Sequence, residues 1–351
     1  MGPRKRRGVE RGEGPTPLNM IRALLYGLGP IGMMVGRQLA TRDGFRIVGA
    51  VDVDPAKVGR DVGDIAGLER PLRVRVDPDA RHAIKKSKPD VVVLCTSSSM
   101  RGVMPQIEGV LRLKVPIVTT TEELSYPVRR NVMLAKKIDA MAKRAKVAVL
   151  STGVNPGFVM DALPIMLTVA CERVESVTVN RVQDASTRRL PFQQKIGAGL
   201  SREQFLREVE RGSIRHVGLA ESISMIAAAL GWQLDRITDE VRPKIAAATV
   251  SSEFFAVDPG YVSGIIQDGV GYRHGTAVIT MHMEAYLGAP ESYDEVRVHG
   301  VPNLTLRIPG GVPGDIATAS IVVNSIPKVL ASRPGLHTMK DLPVPSYYSG
   351  H

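Results

Sequence analysis

Cysteine is scarce in this 351-residue chain: Cys95 and Cys171 are the only two. Two thiols cannot build a disulfide framework, and no C-x-x-C or comparable zinc spacing is present. That usage suits a reducing compartment, and a cytoplasmic setting is expected. The apolar runs are strand-length, far short of the roughly 20 residues that span a bilayer, so no membrane partner is expected. No G-x-S-x-G loop occurs, and none of the seven histidines pairs at metal-ligand spacing. Neither a serine hydrolase nor a metal centre is therefore expected. Internal repeats are also absent.

Positive charge is what the chain has in excess, at +11 net. The first 17 residues, "MGPRKRRGVERGEGPTP", contribute +3 of it and have no apolar core of a secretory signal. Residues 1–19 read as a disordered basic extension. Nothing downstream resembles a nucleic-acid module, so no nucleic-acid partner is expected. The remaining positive charge would help attract an anionic cofactor.

From Ile21 onward, short apolar runs alternate with amphipathic segments. Apolar runs occur at Ile21–Tyr26, "RIVGAVDVD", "PDVVVLCTSSS", "VPIVTTTEE" and "VAVLSTGVNPG", with a helix-type segment at 131–146 between the last two. This alternation predicts a doubly wound parallel sheet, a Rossmann domain over residues 20–152. The pattern then changes. "VMDALPIMLTVACE" reads as a helix, and alternating runs such as "ESVTVNRVQD", "HGTAVITMHMEAYLG" and "NLTLRIPG" predict strands of an antiparallel or mixed sheet. Residues 153–308 are thus expected to form an α+β substrate and dimerisation domain. Residues 309–351 are expected to supply a helix that packs back on the Rossmann domain, and then an extended tail.

"GLGPIG", residues 27–32, directly follows the first apolar run and opens a helical pattern, which is the context a G-x-G-x-x-G motif needs. Gly27 permits the tight turn, Gly29 lets backbone approach a pyrophosphate, and Gly32 allows close helix–strand packing, with Pro30 and Ile31 between them. The helix N-terminus supplies free N–H groups for phosphate. Asp52 ends the second run 20 residues after Gly32, where a carboxylate binds ribose hydroxyls. NAD or NADP is the expected cofactor. Asp52 favours NAD, while Lys57 and Arg60 leave room for the 2′-phosphate of NADP.

Ligands of such sheets bind at the carboxyl ends of the strands. Thr96, Ser97, Thr120, Thr121 and the adjacent acids Glu122 and Glu123 are therefore expected near the cofactor. Neighbouring acids point in different directions, so one is expected to face the nicotinamide while the other caps a helix or forms an ion pair. A carboxylate in that place suits a cation formed in the reaction, and an amine losing hydride becomes an iminium. Asn155 and Gly157 end the last Rossmann strand; Asn155 either contacts the nicotinamide or caps a helix starting near Phe158. Phe158, Met160, Phe192 and Tyr272 are candidate pocket walls. Arg188, Arg189 and Lys195 either hold a substrate carboxylate or are solvated loop charges.

Four separated segments carry a family resemblance: "TTEELSYP" (120–127), "GVNPGFVMD" (153–161), "RVQDASTRRLPFQQKIGAG" (181–199) and "GGVPGDIATASIVVNSIP" (310–327). Together they make roughly residues 20–345 similar to the 2,4-diaminopentanoate dehydrogenases and native NAD(P)-dependent amine dehydrogenases, relatives of dihydrodipicolinate reductase. The resemblance implies a Rossmann domain with an α/β substrate domain, a homodimer, and reversible oxidative deamination of a primary amine to a carbonyl compound and ammonia. It also implies that a glutamate of the "EEL" segment, Glu122 or Glu123, is catalytic, ionised and held at low pKa by a nearby cation or hydrogen bond. Dihydrodipicolinate reductase itself fits less well, since its His-His-x-x-Lys segment is missing. Reduction of a cyclic imine is the second expectation, and a non-enzymatic dinucleotide sensor the third.

Overall fold

The fold is described from a computed structural model covering residues 20–128 and 131–350. The expected basic extension at 1–19 lies outside the described residues. Six strands come first: β1 (Ile21–Tyr26), β2 (Phe45–Val51), β3 (Val76–Asp77), β4 (Val91–Leu94), β5 (Ile117–Thr119) and β6 (Ala148–Ser151). Then follow β7 (Arg173–Asp184), β8 (Arg236–Ile245), a short pair β9 (Val250–Ser251) and β10 (Ala256–Val257), β11 (Val262–Arg273), β12 (Thr276–Tyr286), β13 (Tyr293–Val301), β14 (Leu304–Pro309) and β15 (Gly335–His337).

The first sheet runs β15-β6-β5-β4-β1-β2-β3, with every neighbour parallel. Its strands are apolar on both sides because both faces are covered. Ala23, Leu25, Val91 and Val93 enter one core, while Leu24, Val92 and Leu94 enter the other. The chain order reverses between β1 and β4, which opens a crevice at their carboxyl ends.

The helix Gly314–Leu330 closes the first of these cores. Ala319, Val322, Val323, Ile326 and Val329 recur at helical spacing on one face, all fully buried against the sheet. The helix thus packs against the parallel sheet. Within the segment beyond the helix, Gly335–His337 adds a seventh strand beside β6. Three residues are too few to show any periodicity.

The second sheet is mixed, in the order β14-β13-β7-β12-β11-β8. Only β7 and β12 pair in parallel; the other neighbours are antiparallel. The helix Leu219–Ala229 covers one face with Leu219, Ile223, Ile226 and Ala227. "VMDALPIMLTVACE" is shorter as a helix than its pattern suggests: it spans Ala162–Leu167 and ends in a single 3₁₀ turn, Thr168–Ala170. A buried ion pair within the second sheet also holds the segment that leads into the C-terminal helix. Arg181 on β7 reaches Asp294 on β13 at 2.5 Å, and Asp294 also accepts the Val312 N–H at 2.7 Å. This fixes the Gly310–Val312 turn and brings Gly314 and Asp315 to the crevice.

Candidate active site

The glycine loop is built as its sequence demands. Gly27 has φ +92°, and a Cβ there would lie 2.7 Å from the Cys95 carbonyl oxygen. A Cβ on Gly32 would lie 1.9 Å from the Gly27 carbonyl oxygen, so only glycine permits this helix to start so close to the strand. Gly29 differs: a Cβ there meets nothing within 4 Å, so its backbone faces open space. Pro30 then occupies the first helical position of Pro30–Thr41, where its missing N–H costs nothing. Asp52 accepts the Leu28 N–H at 2.7 Å and the Asp54 N–H at 2.9 Å, with Lys57 3.5 Å away. The carboxylate thus braces the loop as well as standing at the end of β2.

Gly29, Pro30, Ile31, Thr96, Ser97, Thr120 and Asn155 share one cleft of about 420 Å³ between the two sheets. Of the candidate wall residues, Phe192 lies in it, with Arg188 stacked 4.2 Å over its ring. The other three do not line it. Met160 is wholly buried in the second core, Phe158 borders a separate apolar cavity of about 140 Å³, and Tyr272 on β11 lies under Arg236. Met160 and Phe158 pack in the core of the second sheet.

The two adjacent acids separate cleanly. Thr121 is followed by a 3₁₀ turn, Glu122–Leu124, that turns the side chains apart. Glu123 accepts the Met100 N–H at 2.8 Å and the Asn131 amide at 3.3 Å, so it caps the helix Met100–Arg112. Glu122 lines the cleft, and its Oε2 is buried without a hydrogen-bond partner. Burial pushes its carboxyl above the usual glutamate range, although Lys195 and Ser98 pull it down. This corrects the expectation of a low pKa: desolvation outweighs a cation that stands 3.9 Å away.

The segment after β6 makes a tight turn around a cis Asn155–Pro156 bond. Gly157 has φ +135°, and a Cβ there would collide with Gly153 at 2.4 Å. Asp161, wholly buried, accepts the Gly157 and Ala162 N–H groups at 2.8 and 2.6 Å and the Ser222 hydroxyl at 2.7 Å. Asp161, not Asn155, therefore caps the following helix. Asn155 donates to the Met160 sulfur at 2.9 Å, and its Oδ1 has no partner.

Arg188 and Arg189 line the cleft but are held by Asp315, at 3.0 and 3.3 Å. Spacing alone did not reveal Thr152, Arg181, His216, Asp315 or Thr318, which come from distant segments. Asp315 and Thr318 follow the quoted "GGVPG" glycines, the one local signal available for them.

A wider groove of about 830 Å³ runs beside β2 and β3, and contains Arg60, Asp61, Asp64 and Arg75. Among the described residues, five buried side-chain polar atoms lack a partner. None lies in that groove. Four of the five, on Glu122, Thr152, Asn155 and His216, line the cleft between the sheets. Buried polar atoms are seldom left unpaired, and their concentration makes this cleft the candidate site.

Among the described residues no three or more His, Cys, Asp or Glu side chains group as metal ligands. The glycine cradle and the unpaired Thr152 and Asn155 oxygens fit the donor and acceptor groups of a dinucleotide. Fold and site together define a two-sheet, Rossmann-type dehydrogenase. The family profile described as "2,4-diaminopentanoate dehydrogenase C-terminal domain" matches residues 158–351. The chain is 35% identical to the 2,4-diaminopentanoate dehydrogenase of Acetoanaerobium sticklandii over 340 residues, covering 95% of this chain and 96% of that one. It belongs to the 2,4-diaminopentanoate dehydrogenase family. The amine dehydrogenase of Mycobacterium smegmatis has a solved structure that superposes with a TM-score of 0.83 at 28% identity, over 94% of this chain and 98% of that one. A dihydrodipicolinate reductase from Paenisporosarcina, at 15% identity and a TM-score of 0.52, shares the fold over 92% of this chain and 99% of its own.

Proposed function

We propose that Glu122 is the catalytic carboxylate of this site. The chain is an NAD(P)-dependent amine dehydrogenase, interconverting a primary amine with a carbonyl compound and ammonia. Its relatives' names, 2,4-diaminopentanoate dehydrogenase and amine dehydrogenase, support that reading. The observation that carries the assignment is the unpaired Glu122 Oε2 in the cleft, beside a Glu123 whose Oε2 accepts the Met100 N–H.

The nicotinamide of bound NAD(P) supplies or accepts the hydride. Gly27, Gly29, Pro30, Ile31 and Gly32 would hold the pyrophosphate on the helix N-terminus, and Asp52 the adenosine ribose. Thr96, Ser97, Thr120, Asn155 and Gly157 would frame the remainder. Asp52 favours NAD over NADP. In the reductive direction, ammonia adds to the substrate carbonyl and water leaves as an iminium forms. Glu122 offsets that positive charge in a cleft where burial strengthens the attraction. Its raised pKa brings it nearer the working pH, which suits a group that also takes and returns a proton as water departs. Phe192 packs one wall of the substrate space.

A homodimer, a division into units at 20–152, 153–308 and 309–351, and a cytoplasmic setting without nucleic-acid or membrane partners belong to the same proposal. Among the described residues, no helix is long and apolar enough to cross a membrane. The direct test of activity is the initial rate of NADH and NADPH oxidation over a ketone and aldehyde panel, with and without ammonium near pH 9. That pH leaves a large share of ammonia unprotonated. Ammonium-dependent rates are expected; equal rates without ammonium would move the assignment to imine or carbonyl reduction.

A further inference from the structure

His216 lies in the bend between the helices Arg202–Glu210 and Leu219–Ala229. Its main chain is gripped by one side chain. Gln267, wholly buried on β11, accepts the His216 N–H at 2.8 Å and donates to the His216 carbonyl at 3.0 Å. Gln267 is in turn oriented by Asp239 at 2.7 Å, and the other Asp239 oxygen holds Arg215 at 2.8 Å. Two residues on, Gly218 has φ +120°, and a Cβ there would lie 2.5 Å from the Pro156 ring. The bend is therefore seated on the same turn that places Asn155.

The imidazole is treated differently from its backbone. It lines the cleft, and its buried Nε2 has no partner. Leaving such an atom unpaired is unfavourable. A position held this rigidly, with that cost left open, has the form of a binding group awaiting its ligand.

We infer that His216 is a specificity-determining contact, whose Nε2 hydrogen-bonds an acceptor oxygen, carboxylate or carbonyl, on the part of the substrate that does not react. The inference rests on the amine dehydrogenase reading and adds the group that recognises the remote end of the substrate. Burial, together with Lys195, Arg181 and Arg215, pushes the imidazole down to about 3. The ring is therefore neutral at working pH and retains one N–H and one lone pair. The cations acting on it are those three, from the helix Leu190–Lys195, from β7 and from its own bend; Asp239 lies behind Gln267, and Glu122, Arg188, Arg189 and Asp315 line the same cleft. This field favours an oxygen over a second ammonium group as the guest.

The test compares full-length wild type with His216→Ala, His216→Leu and His216→Gln in ammonium-dependent NAD(P)H oxidation. The probes are 2-amino-4-oxopentanoate and the unfunctionalised ketone of the same carbon skeleton. The ratio of kcat/KM for the two should fall roughly tenfold or more in the Ala variant, mainly through KM of the oxo acid. His216→Gln, which retains a donor, should recover part of it. His216→Leu keeps the bulk and carries the comparison if the Ala variant melts early. In wild type the ratio should stay flat between about pH 6 and pH 9, because the ring does not titrate there. An unchanged ratio, a parallel loss on both substrates, or a ratio that titrates near the ordinary histidine value would overturn the contact. Wild type that turns over neither probe with ammonium would instead remove the activity reading, and this inference with it.

Discussion

Lys195 Nζ stands 3.9 Å from Glu122 Oε2, near enough to attract the carboxylate and too far to hydrogen-bond it. The lysine is 40% exposed and the glutamate 24%. Glu122 Oε2 thus has a charge nearby but no hydrogen-bond partner, which leaves that oxygen available to a cation arriving in the cleft. Lys195 works against desolvation, so it should set where the acid limb of the rate profile falls.

Lys195→Met removes that attraction. Glu122 should then hold its proton to higher pH, and the pH at which activity is half lost on the acid side should move up. Wild type should already lose activity above the ordinary glutamate range, because protonation of Glu122 abolishes its charge. A pH–rate profile of both proteins reads this; a limb that moves down in the variant would contradict the assignment.

Stability should show the same proton from the other side. A carboxyl whose folded pKa lies above its unfolded value adds stability at low pH and loses it as pH rises through the folded pKa. Ionised Glu122 is therefore a cost at neutral pH. Glu122→Gln should melt above wild type at pH 7, and the gap should close as pH falls toward about 4. Thermal melts across that range decide it.

The glycine loop permits a paired test. Gly32→Ala forces a Cβ onto the Gly27 carbonyl and should cost on the order of 1–3 kcal/mol in stability, with NAD(P)H binding lost alongside. Gly29→Ala meets no protein atom, so its melting temperature should hold while cofactor affinity falls. Melting curves and nucleotide fluorescence titrations separate the two.

Asp161 explains why the "GVNPGFVMD" segment ends in an acid. It receives two backbone N–H groups and one hydroxyl in a dry environment. Asp161→Ala leaves them unpaired and should cost about 3 kcal/mol or more, seen as a lower denaturant midpoint.

The parallel sheet and its glycine loop were legible because their signals are local: apolar runs, helical spacing and three glycines within six residues. The pairing of Glu122 and Glu123 was visible too, but not their division of labour. That depends on a single 3₁₀ turn and on Met100 lying beyond it, neither of which has a periodic signature. His216 was unreadable for a different reason. Its position is set by Gln267, 51 residues away, and its unpaired nitrogen exists only once the second sheet is folded. Phe158 and Met160 show the converse: apolar residues near a motif can be drawn into cores and not into the cleft.

Separate replacement of Glu122 and Glu123 by glutamine tests the central claim most directly. Ammonium-dependent turnover should fall by about 100-fold or more in Glu122→Gln with NADH binding preserved. Glu123→Gln keeps an oxygen for the Met100 N–H and should stay within a few-fold of wild type. Equal, mild losses in both variants, or inactivation in Glu123→Gln alone, would contradict Glu122 as the catalytic carboxylate.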